Sequence, residues 1–456
     1  MSEKPAWIGS MFNYCFKFNN YFIVYNTLHT KIYLVDENIF NLLNSRSVIN
    51  TLDLRLTYFL REHLIVPVNE NEIAIAYHYM NQIIYDNQLN VTIIPTQGCN
   101  FRCIYCFEEH SNINMSDESE SKILRFFDKN IKKYSSVKIS WFGGEPLLEK
   151  NRVLRIMQRI KQACEREGIP VLADMITNGY LLDLDTFNAL ISSNVLFYEV
   201  TVDGFKNAHD KVRPLASGIG TYDVIVKNLI NIQRNSSGKR YRIVIRTNLD
   251  KSNADDYLKF VEELEKILKG DKRFEFLCAK TTDWGGETIR NIENNLFSNR
   301  NEMASFPQHE DYQNRKYSTS TQSLSQMRCQ AGKRHGFVIM PNAELHKCTK
   351  ISYNSSDIPC QTINKIGSIK SNGNVIFDEE KIAQFVSMPI PYEKCYTCTW
   401  FPICILSMCP YRVARQDYIT CKLQNEQDER DIHDNIITQF KKGCFINTIM
   451  KEEKNE

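Results

Sequence analysis

The sequence predicts a mixed α/β protein whose centre is a partial six-stranded (β/α) barrel. Between residues 89 and 282, short apolar runs rich in β-formers alternate with amphipathic helical patterns, and six successive β/α units favour a parallel sheet. The expected strands are Val91–Pro95, Val137–Phe142, Pro170–Ile176, Leu196–Val202, Arg242–Thr247 and Phe274–Cys278. The expected helices lie over Glu118–Tyr134, Leu148–Glu167, Asp183–Ser192, Tyr222–Arg234 and Ala254–Leu268. Active-site residues should then lie where the strands end.

Length and composition limit the possible functions. A chain of 456 residues with 43% apolar and 24% charged residues is typical of a soluble protein of two or three domains. The net charge of +2 predicts neither a nucleic-acid partner nor an anionic membrane surface. No transmembrane run or secretory signal is visible, so we expect a cytoplasmic location. In that compartment the fifteen cysteines are read as free thiols or metal ligands, not disulfides.

The segments that flank the barrel are assigned from local patterns. Residues 1–88 predict a small strand and helix module, with strands Tyr14–Phe18, Tyr21–Tyr25 and Lys31–Val35, a helix capped by Asp36, and a second helix around Leu52–Glu62. Such a winged-helix-like module could recognise a peptide by strand addition, or serve only as a packing flap. We expect a linker or substrate-facing loop over residues 283–328 and a cysteine-rich domain over residues 329–430. Residues 431–456 should contain the end of a helix over Glu426–Lys441 and a charged tail.

The most informative motif is Cys99-x3-Cys103-x2-Cys106, which directly follows the first predicted barrel strand. Three thiolates would leave one iron of a [4Fe–4S] cluster without a protein ligand, open to a substrate or cofactor. A zinc knuckle that lacks its fourth ligand, or a fragment of a closed ferredoxin-type site, would give the same three cysteines. Neither explains Tyr105 inside the motif or the barrel pattern that follows it.

At these residues the chain resembles the radical S-adenosylmethionine (radical SAM) superfamily, whose cluster loop has the form C-x3-C-x-aromatic-C. The resemblance covers about residues 91–280. It includes Gly143-Gly144-Glu145 after the second strand, Thr177-Asn178-Gly179 after the third, and the run from Asp203 to Arg213 after the fourth. It implies that Tyr105, Gly143, Gly144, Glu145, Asn178 and Arg213 contact SAM. Glu145 would accept a hydrogen bond from the methionine ammonium, and Arg213 would pair with its carboxylate. Asp203 and His209 could equally be structural.

A second set of cysteines follows as Cys329-x18-Cys348, then Cys395-x2-Cys398-x5-Cys404-x4-Cys409, then Cys421. Zinc is the simplest alternative, although seven thiols are too many for one zinc ion. The spacing resembles the SPASM extension of radical SAM peptide maturases. This resemblance implies one auxiliary [4Fe–4S] cluster on Cys395, Cys398, Cys404 and Cys421. A second would lie on Cys329, Cys348 and Cys409, with an open iron or a further ligand such as Cys360. The chain departs from the pattern at Ala343, where a glycine is expected, and between Cys404 and Cys409, which are one residue further apart.

These resemblances imply a radical SAM enzyme with three [4Fe–4S] clusters that oxidatively crosslinks a ribosomally made precursor peptide. The peptide would carry a leader and a cysteine-containing core, and the product would be a thioether of the sactipeptide or ranthipeptide type. A reductant such as flavodoxin or ferredoxin would supply electrons. An anaerobic sulfatase-maturing enzyme is the alternative, but Thr349 stands where that family places an aspartate after Cys348. An iron–sulfur electron carrier or a zinc-binding interaction protein are the non-catalytic alternatives.

Overall fold

The computed structural model describes residues 6–108, 110–281, 288–297, 328–350, 362–390, 392–416, 421 and 426–449. These residues form two compact units, each of which is discontinuous in sequence. The first unit comprises Met1–Asp86, Tyr317–Arg334 and Gln384–Glu456, and the second comprises Asn87–Lys316 and His335–Ala383.

The N-terminal part of the first unit contains five strands and three helices. They are β1 (Trp7–Gly9), β2 (Asn13–Phe18), β3 (Tyr21–Asn26), β4 (Lys31–Val35), α1 (Glu37–Ser45), α2 (Leu54–Arg61), β5 (Ile65–Pro67) and α3 (Glu72–Ile84). The predicted strands and the first two helices are observed, and the Asp36 side chain caps α1 by accepting a hydrogen bond from Ile39 N at 2.9 Å. The prediction did not include α3 or the antiparallel pair of β1 and β5.

The second unit contains the six predicted β/α units in sequential order. Its parallel strands and the helices between them are β6 (Gln88–Ile93), α4 (Asp117–Asn130), β7 (Ser136–Trp141), α5 (Lys150–Glu167), β8 (Val171–Thr177), α6 (Leu184–Ser192), β9 (Val195–Thr201), α7 (Lys206–Val212), α8 (Tyr222–Asn235), β10 (Arg242–Leu249), α9 (Tyr257–Ile267) and β11 (Phe274–Lys280). Along this sheet the side chains alternate, and those directed toward the helices, such as Ile139 and Met175, are fully buried. The α/β fold class is therefore confirmed.

The cysteine-rich part of the sequence, predicted as a domain over 329–430, is divided between the two units. β12 (Gly336–Ile339) pairs in parallel with β6 and extends the large sheet, and β13 (Glu344–His346), β14 (Lys365–Ile369) and β15 (Val375–Phe377) continue it antiparallel. The remaining elements are α10 (Glu379–Val386), α11 (Phe401–Ser407), α12 (Pro410–Ala414), α13 (Glu426–Lys441) and β16 (Ile446–Asn447). A sheet edge gains hydrogen bonds from any strand that reaches it, which explains why β12 joins the barrel strands.

The first unit joins both ends of the chain. Its four-stranded sheet has the order β16-β4-β3-β2, so the strand near the C-terminus pairs with β4. One face of this sheet packs against α13 and the cysteine-rich segment through a core of Phe16, Ile23, Tyr25, Trp400 and Phe440. Among the helices described, none has the length and apolar character that crossing a bilayer requires.

Candidate active site

The three motif cysteines lie at the carboxyl end of β6 and line one cavity of about 170 Å³. Their loop is held on both sides by backbone hydrogen bonds. Arg102 N donates to Pro214 O at 2.9 Å, and Ile104 N donates to Val212 O at 3.0 Å. The other lining residues are Phe101, Tyr105, Phe107, Glu108, His110, Phe142, Gly143, Gly144, Ile176, Thr177, Asn178, Thr201 and Arg213. The structure therefore brings all of the predicted SAM-contacting residues except Glu145 to the wall of this cavity.

The Gly143-Gly144 pair lies directly against the start of the cysteine loop. Gly144 N donates to Thr96 O at 3.3 Å, and Glu145 N donates to Gly98 O at 2.8 Å. A Cβ atom on Gly144 would lie 2.6 Å from Gly98 C, and Gly143 has a φ of +136° that favours glycine. Both glycines are thus required by the packing of two backbone segments.

Glu145 is fully buried behind these glycines, and its carboxylate is bonded within the protein. It accepts hydrogen bonds from Leu147 N at 3.0 Å, Thr177 Oγ1 at 2.8 Å and Asn178 N at 2.8 Å. The carboxylate therefore joins the end of β7 to the end of β8. The predicted contact with a methionine ammonium stays a prediction, because these three bonds leave part of the acceptor capacity of the carboxylate unused.

Asn178 extends from the end of β8 to the cysteine loop. Its Nδ2 donates to Asn100 Oδ1 at 2.8 Å and lies 4.0 Å from Cys99 Sγ. Its Oδ1 accepts from Tyr180 N at 3.0 Å. The side chain thus fixes the orientation of the loop beside its first thiol.

Tyr105 links the cysteine loop to the ends of β9 and β10. Its hydroxyl donates to the Asp203 carboxylate and accepts from Arg213 Nη1 at 2.5 Å and from Asn248 Nδ2 at 3.1 Å. Asp203 also accepts from Asn248 N at 2.7 Å. Among the described residues, nothing accepts from the buried Nε of Arg213, so this cavity-lining side chain keeps one donor available for a ligand.

His209 has a structural role, which the sequence left open. Its Nδ1 accepts from Asp203 N at 3.0 Å, and its Nε2 lies 3.0 Å from Thr221 Oγ1. Since the Thr221 hydroxyl itself donates to Arg213 O at 2.8 Å, the imidazole must be the donor in the second bond. Burial, followed by the charge of Arg213, lowers the pKa of His209 to about 3, so the ring is neutral at physiological pH.

The three motif cysteines are half-buried. Burial raises the pKa of Cys99 to about 12, and it also raises the pKa values of Cys103 and Cys106. Binding to iron requires the thiolate form, so assembly of a cluster here would release protons. In the described parts of the chain, no three Cys, His, Asp or Glu side chains are grouped closely enough to hold a single metal ion. The fit to a cluster rests on three soft ligands that line one cavity.

Two cavity residues, Glu108 and His110, were not predicted. Burial, followed by the nearby charge of Glu145, raises the pKa of Glu108 well above its usual range. Burial, followed by the charge of Arg102, lowers the pKa of His110, and no described residue bonds to its buried Nδ1. The signal in the sequence was their position, two and four residues after Cys106 on the same loop.

Four cysteines of the second set, which the sequence assigned to one auxiliary cluster, line a second cavity of about 290 Å³ in the first unit. They are Cys395, Cys398, Cys404 and Cys421. Trp400, Phe401, Ile405 and Met408 form its apolar walls. Four thiols around an apolar cavity match the ligand set of a closed [4Fe–4S] cluster.

The other predicted ligands are distributed over both units. Cys329 and Cys409 belong to the first unit and Cys348 to the second, whereas Cys360 lies outside the described residues. Cys348 N donates to Asn364 Oδ1 at 2.8 Å. The turn before Cys348 has the left-handed conformation although it lacks a glycine, since Ala343 has a φ of +64°.

The comparisons with known proteins agree with this geometry. Residues 93–264 match the model of the radical SAM superfamily. The chain is 22% identical over 171 residues to Fe-coproporphyrin III synthase of Methanosarcina barkeri, with 38% of this chain and 39% of that protein covered. It is 23% identical over 144 residues to a cysteine-type anaerobic sulfatase-maturating enzyme of Clostridium perfringens, with 30% of this chain and 39% of that protein covered. The chain thus spans about two fifths of the length of these relatives.

Solved structures resemble this chain over most of its length. The structure of native anSMEcpe with bound AdoMet and Cp18Cys peptide shows the same fold, with a TM-score of 0.54 and 16% identity, and covers 78% of this chain and 97% of that one. The structure of Streptococcus suis SuiB bound to precursor peptide SuiA has a TM-score of 0.46 and 14% identity. That comparison covers 89% of this chain and 94% of the SuiB chain. The motif cysteines, Asn178 and Arg213 all fall within the segment that matches the superfamily. Residues 93–264 therefore form a radical SAM domain.

Proposed function

We propose that this chain is a radical SAM peptide maturase that oxidatively crosslinks a ribosomally made peptide by joining a cysteine sulfur to carbon. The observation that carries the proposal is the cavity at the end of β6. There three thiols, a close glycine pair and the free Nε donor of Arg213 surround a single space. A [4Fe–4S] cluster and SAM, when bound, supply a 5′-deoxyadenosyl radical that abstracts hydrogen from carbon.

Within that cavity the protein would bind and orient. Cys99, Cys103 and Cys106 would hold three irons and leave the fourth for SAM. Arg213 Nε would donate to the methionine carboxylate, while its Nη1 stays bonded to Tyr105. The apolar rings of Phe107 and Phe142 in the cavity wall would help to exclude water.

The second cavity supports an oxidative outcome. Thioether formation removes two protons and two electrons from the peptide. The 5′-deoxyadenosyl radical would take one proton and one electron together as a hydrogen atom, so one electron and one proton remain. A cluster held by Cys395, Cys398, Cys404 and Cys421 could accept that electron and return it to a flavodoxin or ferredoxin type of reductant.

The N-terminal sheet supports a peptide as substrate. β4 already pairs with β16, whereas β2 is a terminal strand of its sheet, and none of the described strands pairs with its outer edge. A leader segment could add there as a further strand, held by main-chain hydrogen bonds.

The experiment is anaerobic reconstitution with iron and sulfide, followed by dithionite, SAM and a precursor peptide. Cys103→Ala should abolish 5′-deoxyadenosine formation, because two thiolates cannot hold the open cluster. Cys398→Ala should retain SAM cleavage and lose the crosslinked product. Cys164→Ala, at a buried position in α5, is the control and should retain both. If the wild-type protein binds iron and sulfide but forms no 5′-deoxyadenosine, the result would instead favour an electron carrier. If it binds zinc in place of iron, the result would favour a zinc-binding interaction protein.

Formylglycine formation on a sulfatase is the second candidate, favoured by the match to the Clostridium perfringens enzyme and by the shared fold. The two products differ in mass. A thioether retains the cysteine sulfur and loses two hydrogens, whereas formylglycine loses that sulfur. Mass spectrometry of a cysteine-rich precursor and of a sulfatase-derived peptide, each incubated with the reconstituted enzyme, distinguishes them.

A further inference from the structure

The cysteine loop has an inner and an outer side. Cys99 and Cys103 line the cavity, whereas Arg102 and Ile104 lie outside the wall that the described residues give it. Arg102 is exposed, and its Nη1 donates to Cys99 O at 2.8 Å and to Phe101 O at 2.7 Å. In the part of the chain that the structure describes, no carboxylate pairs with this guanidinium. The outer side therefore carries a positive charge that the backbone of the loop holds in place.

Two large apolar side chains are exposed where the loop begins. Ile113 is 52% exposed, and its carbonyl accepts a hydrogen bond from Gln97 N at 2.9 Å. Leu148 is 46% exposed, and its Cδ1 would lie 3.9 Å from a Cβ on Gly98. Both side chains thus belong to segments in contact with the two residues that precede Cys99.

A third exposed apolar side chain borders the next part of the loop. Ile219 is 62% exposed and lies in the turn formed by residues 214–220. This turn is bonded to the loop, because Ala216 N donates to Asn100 O at 2.8 Å. Exposed apolar side chains that occur singly need no explanation, but three around one loop indicate a surface that another molecule covers.

The segments that form this surface are almost without charge. We define the loop surface as residues 96–104, 110–114 and 214–220, together with Leu148. Arg102 is its only Lys, Arg, Asp or Glu, although 24% of the chain consists of these residues. The centres of protein interfaces are depleted of Lys, Asp and Glu and enriched in Arg. The composition therefore favours a protein partner that presents apolar groups and a negative charge.

The position of the loop surface indicates what kind of protein that partner is. SAM cleavage in the proposed function requires one electron at a cluster held by the motif cysteines. The inner side of the loop faces the cavity in which SAM would bind, so a protein that delivers this electron must approach the outer side. Arg102 is adjacent in sequence to Cys103, so a protein bound there lies close to a ligand of the cluster.

We propose that the loop surface is the docking site of a small acidic one-electron carrier of the flavodoxin class, and that Arg102 pairs with a carboxylate of the carrier. The inference rests on the proposed function. In the complex the reduced flavin loses one electron and the oxidised cluster gains it, and no atom is exchanged. Electron-transfer contacts are small and transient, which suits three apolar side chains around one charge.

The first test measures binding without catalysis. Oxidised flavodoxin is titrated into the full chain, reconstituted with iron and sulfide and without SAM. Ile219→Glu and Ile113→Glu each place a negative charge in the loop surface, so each should weaken binding about tenfold. Arg102→Gln should weaken binding and reduce its dependence on salt. Ile267→Glu is the matched control and should bind like the wild type, because Ile267 is 43% exposed at the end of α9, at the opposite end of the barrel strands.

The second test compares two reductants. Dithionite is a small ion that needs no docking site, so Ile219→Glu should form 5′-deoxyadenosine with dithionite at the wild-type rate. With reduced flavodoxin below its Kd, the same variant should be about tenfold slower, in proportion to the weaker binding.

Several outcomes would contradict the docking site. It is overturned if both glutamate variants bind flavodoxin as tightly as the wild type does. It is also overturned if Ile219→Glu loses activity equally with both reductants, or if these substitutions dissociate a wild-type dimer, since a second copy of the chain would then cover the surface. If the wild type binds flavodoxin through this surface but forms no 5′-deoxyadenosine with dithionite, the proposed function fails and the docking site stands.

Discussion

Replacing Gly144 with alanine should displace the cysteine loop. The added Cβ would lie 2.6 Å from Gly98 C and 2.8 Å from Gln97 O, at least 0.6 Å inside the 3.4 Å at which ordinary contact begins. These neighbours are backbone atoms, which cannot rotate away as a side chain does. Relieving the overlap must move the loop or break the bond from Glu145 N to Gly98 O. Overpacking of this kind costs about 1–3 kcal/mol.

The loss should concern the cluster site and not the fold as a whole. We expect Gly144→Ala to bind less iron at Cys99, Cys103 and Cys106, and to cleave SAM about 10²-fold more slowly, the effect that a displacement of about 1 Å can have. The assay measures iron per chain, cluster absorbance and 5′-deoxyadenosine formation on the anaerobically reconstituted protein.

Gly168→Ala is the matched control. Gly168 ends α5 in the left-handed conformation, with φ of +67°, and no atom lies within 4 Å of the position that an added Cβ would take. This substitution should cost about 1–2 kcal/mol of backbone strain and leave the cluster intact. If Gly144→Ala cleaved SAM at the wild-type rate, or if both variants lost the cluster equally, the packing argument would fail.

Three further predictions follow from single contacts. Tyr105→Phe removes the acceptor of Arg213 Nη1, so it should weaken SAM binding about tenfold while the iron content is retained. Equilibrium dialysis measures the affinity for SAM, and an unchanged affinity would refute this prediction. His209 has a folded-state pKa near 3, below its ordinary 6.5, so its contribution is fully present above pH 6.5 and is lost as the pH falls. Between pH 8 and 5.5 this loss amounts to about 1.4 kcal/mol, and His209→Gln should flatten the pH dependence of thermal unfolding by that amount. Ala343→Gly should stabilise the protein by about 0.5–1 kcal/mol, seen as a higher unfolding midpoint, because it relieves the strain of a φ of +64°.

The barrel strands were predictable because each one is a short apolar run bounded by amphipathic helices, so local periodicity and topology indicate the same structure. Asp36 was predictable as a helix cap because an aspartate directly before a helical pattern is a typical cap. Helix α3 was missed because Glu72–Met80 alternates polar and small residues with apolar ones in a pattern that also suits a strand. Its apolar residues Ala76 and Met80 are buried against Phe401 and Leu406, from a distant part of the chain.

The location of the site was predictable from its sequence motifs, but the contacts of its side chains were not. The motif cysteines and Asn178 meet at one cavity, as strand order required, but no motif indicates what a side chain bonds to once it is buried. Glu145 therefore became a link between two strands, and Tyr105 became the centre of a hydrogen-bond network. Pairing of β12 with β6 joins residues more than two hundred positions apart, and no local pattern marks such a partner.

The sheet that pairs β4 with β16 has a consequence for how this chain folds during synthesis. Its strands β2 to β4 are made long before the residues that cover their apolar face, among them Trp400 and Phe440. At typical rates of translation the interval is roughly 20 to 70 s. During that time Phe16, Ile23 and Tyr25 await their partners while the β/α units between can already assemble. The nascent N-terminal segment is therefore the part most in need of a chaperone.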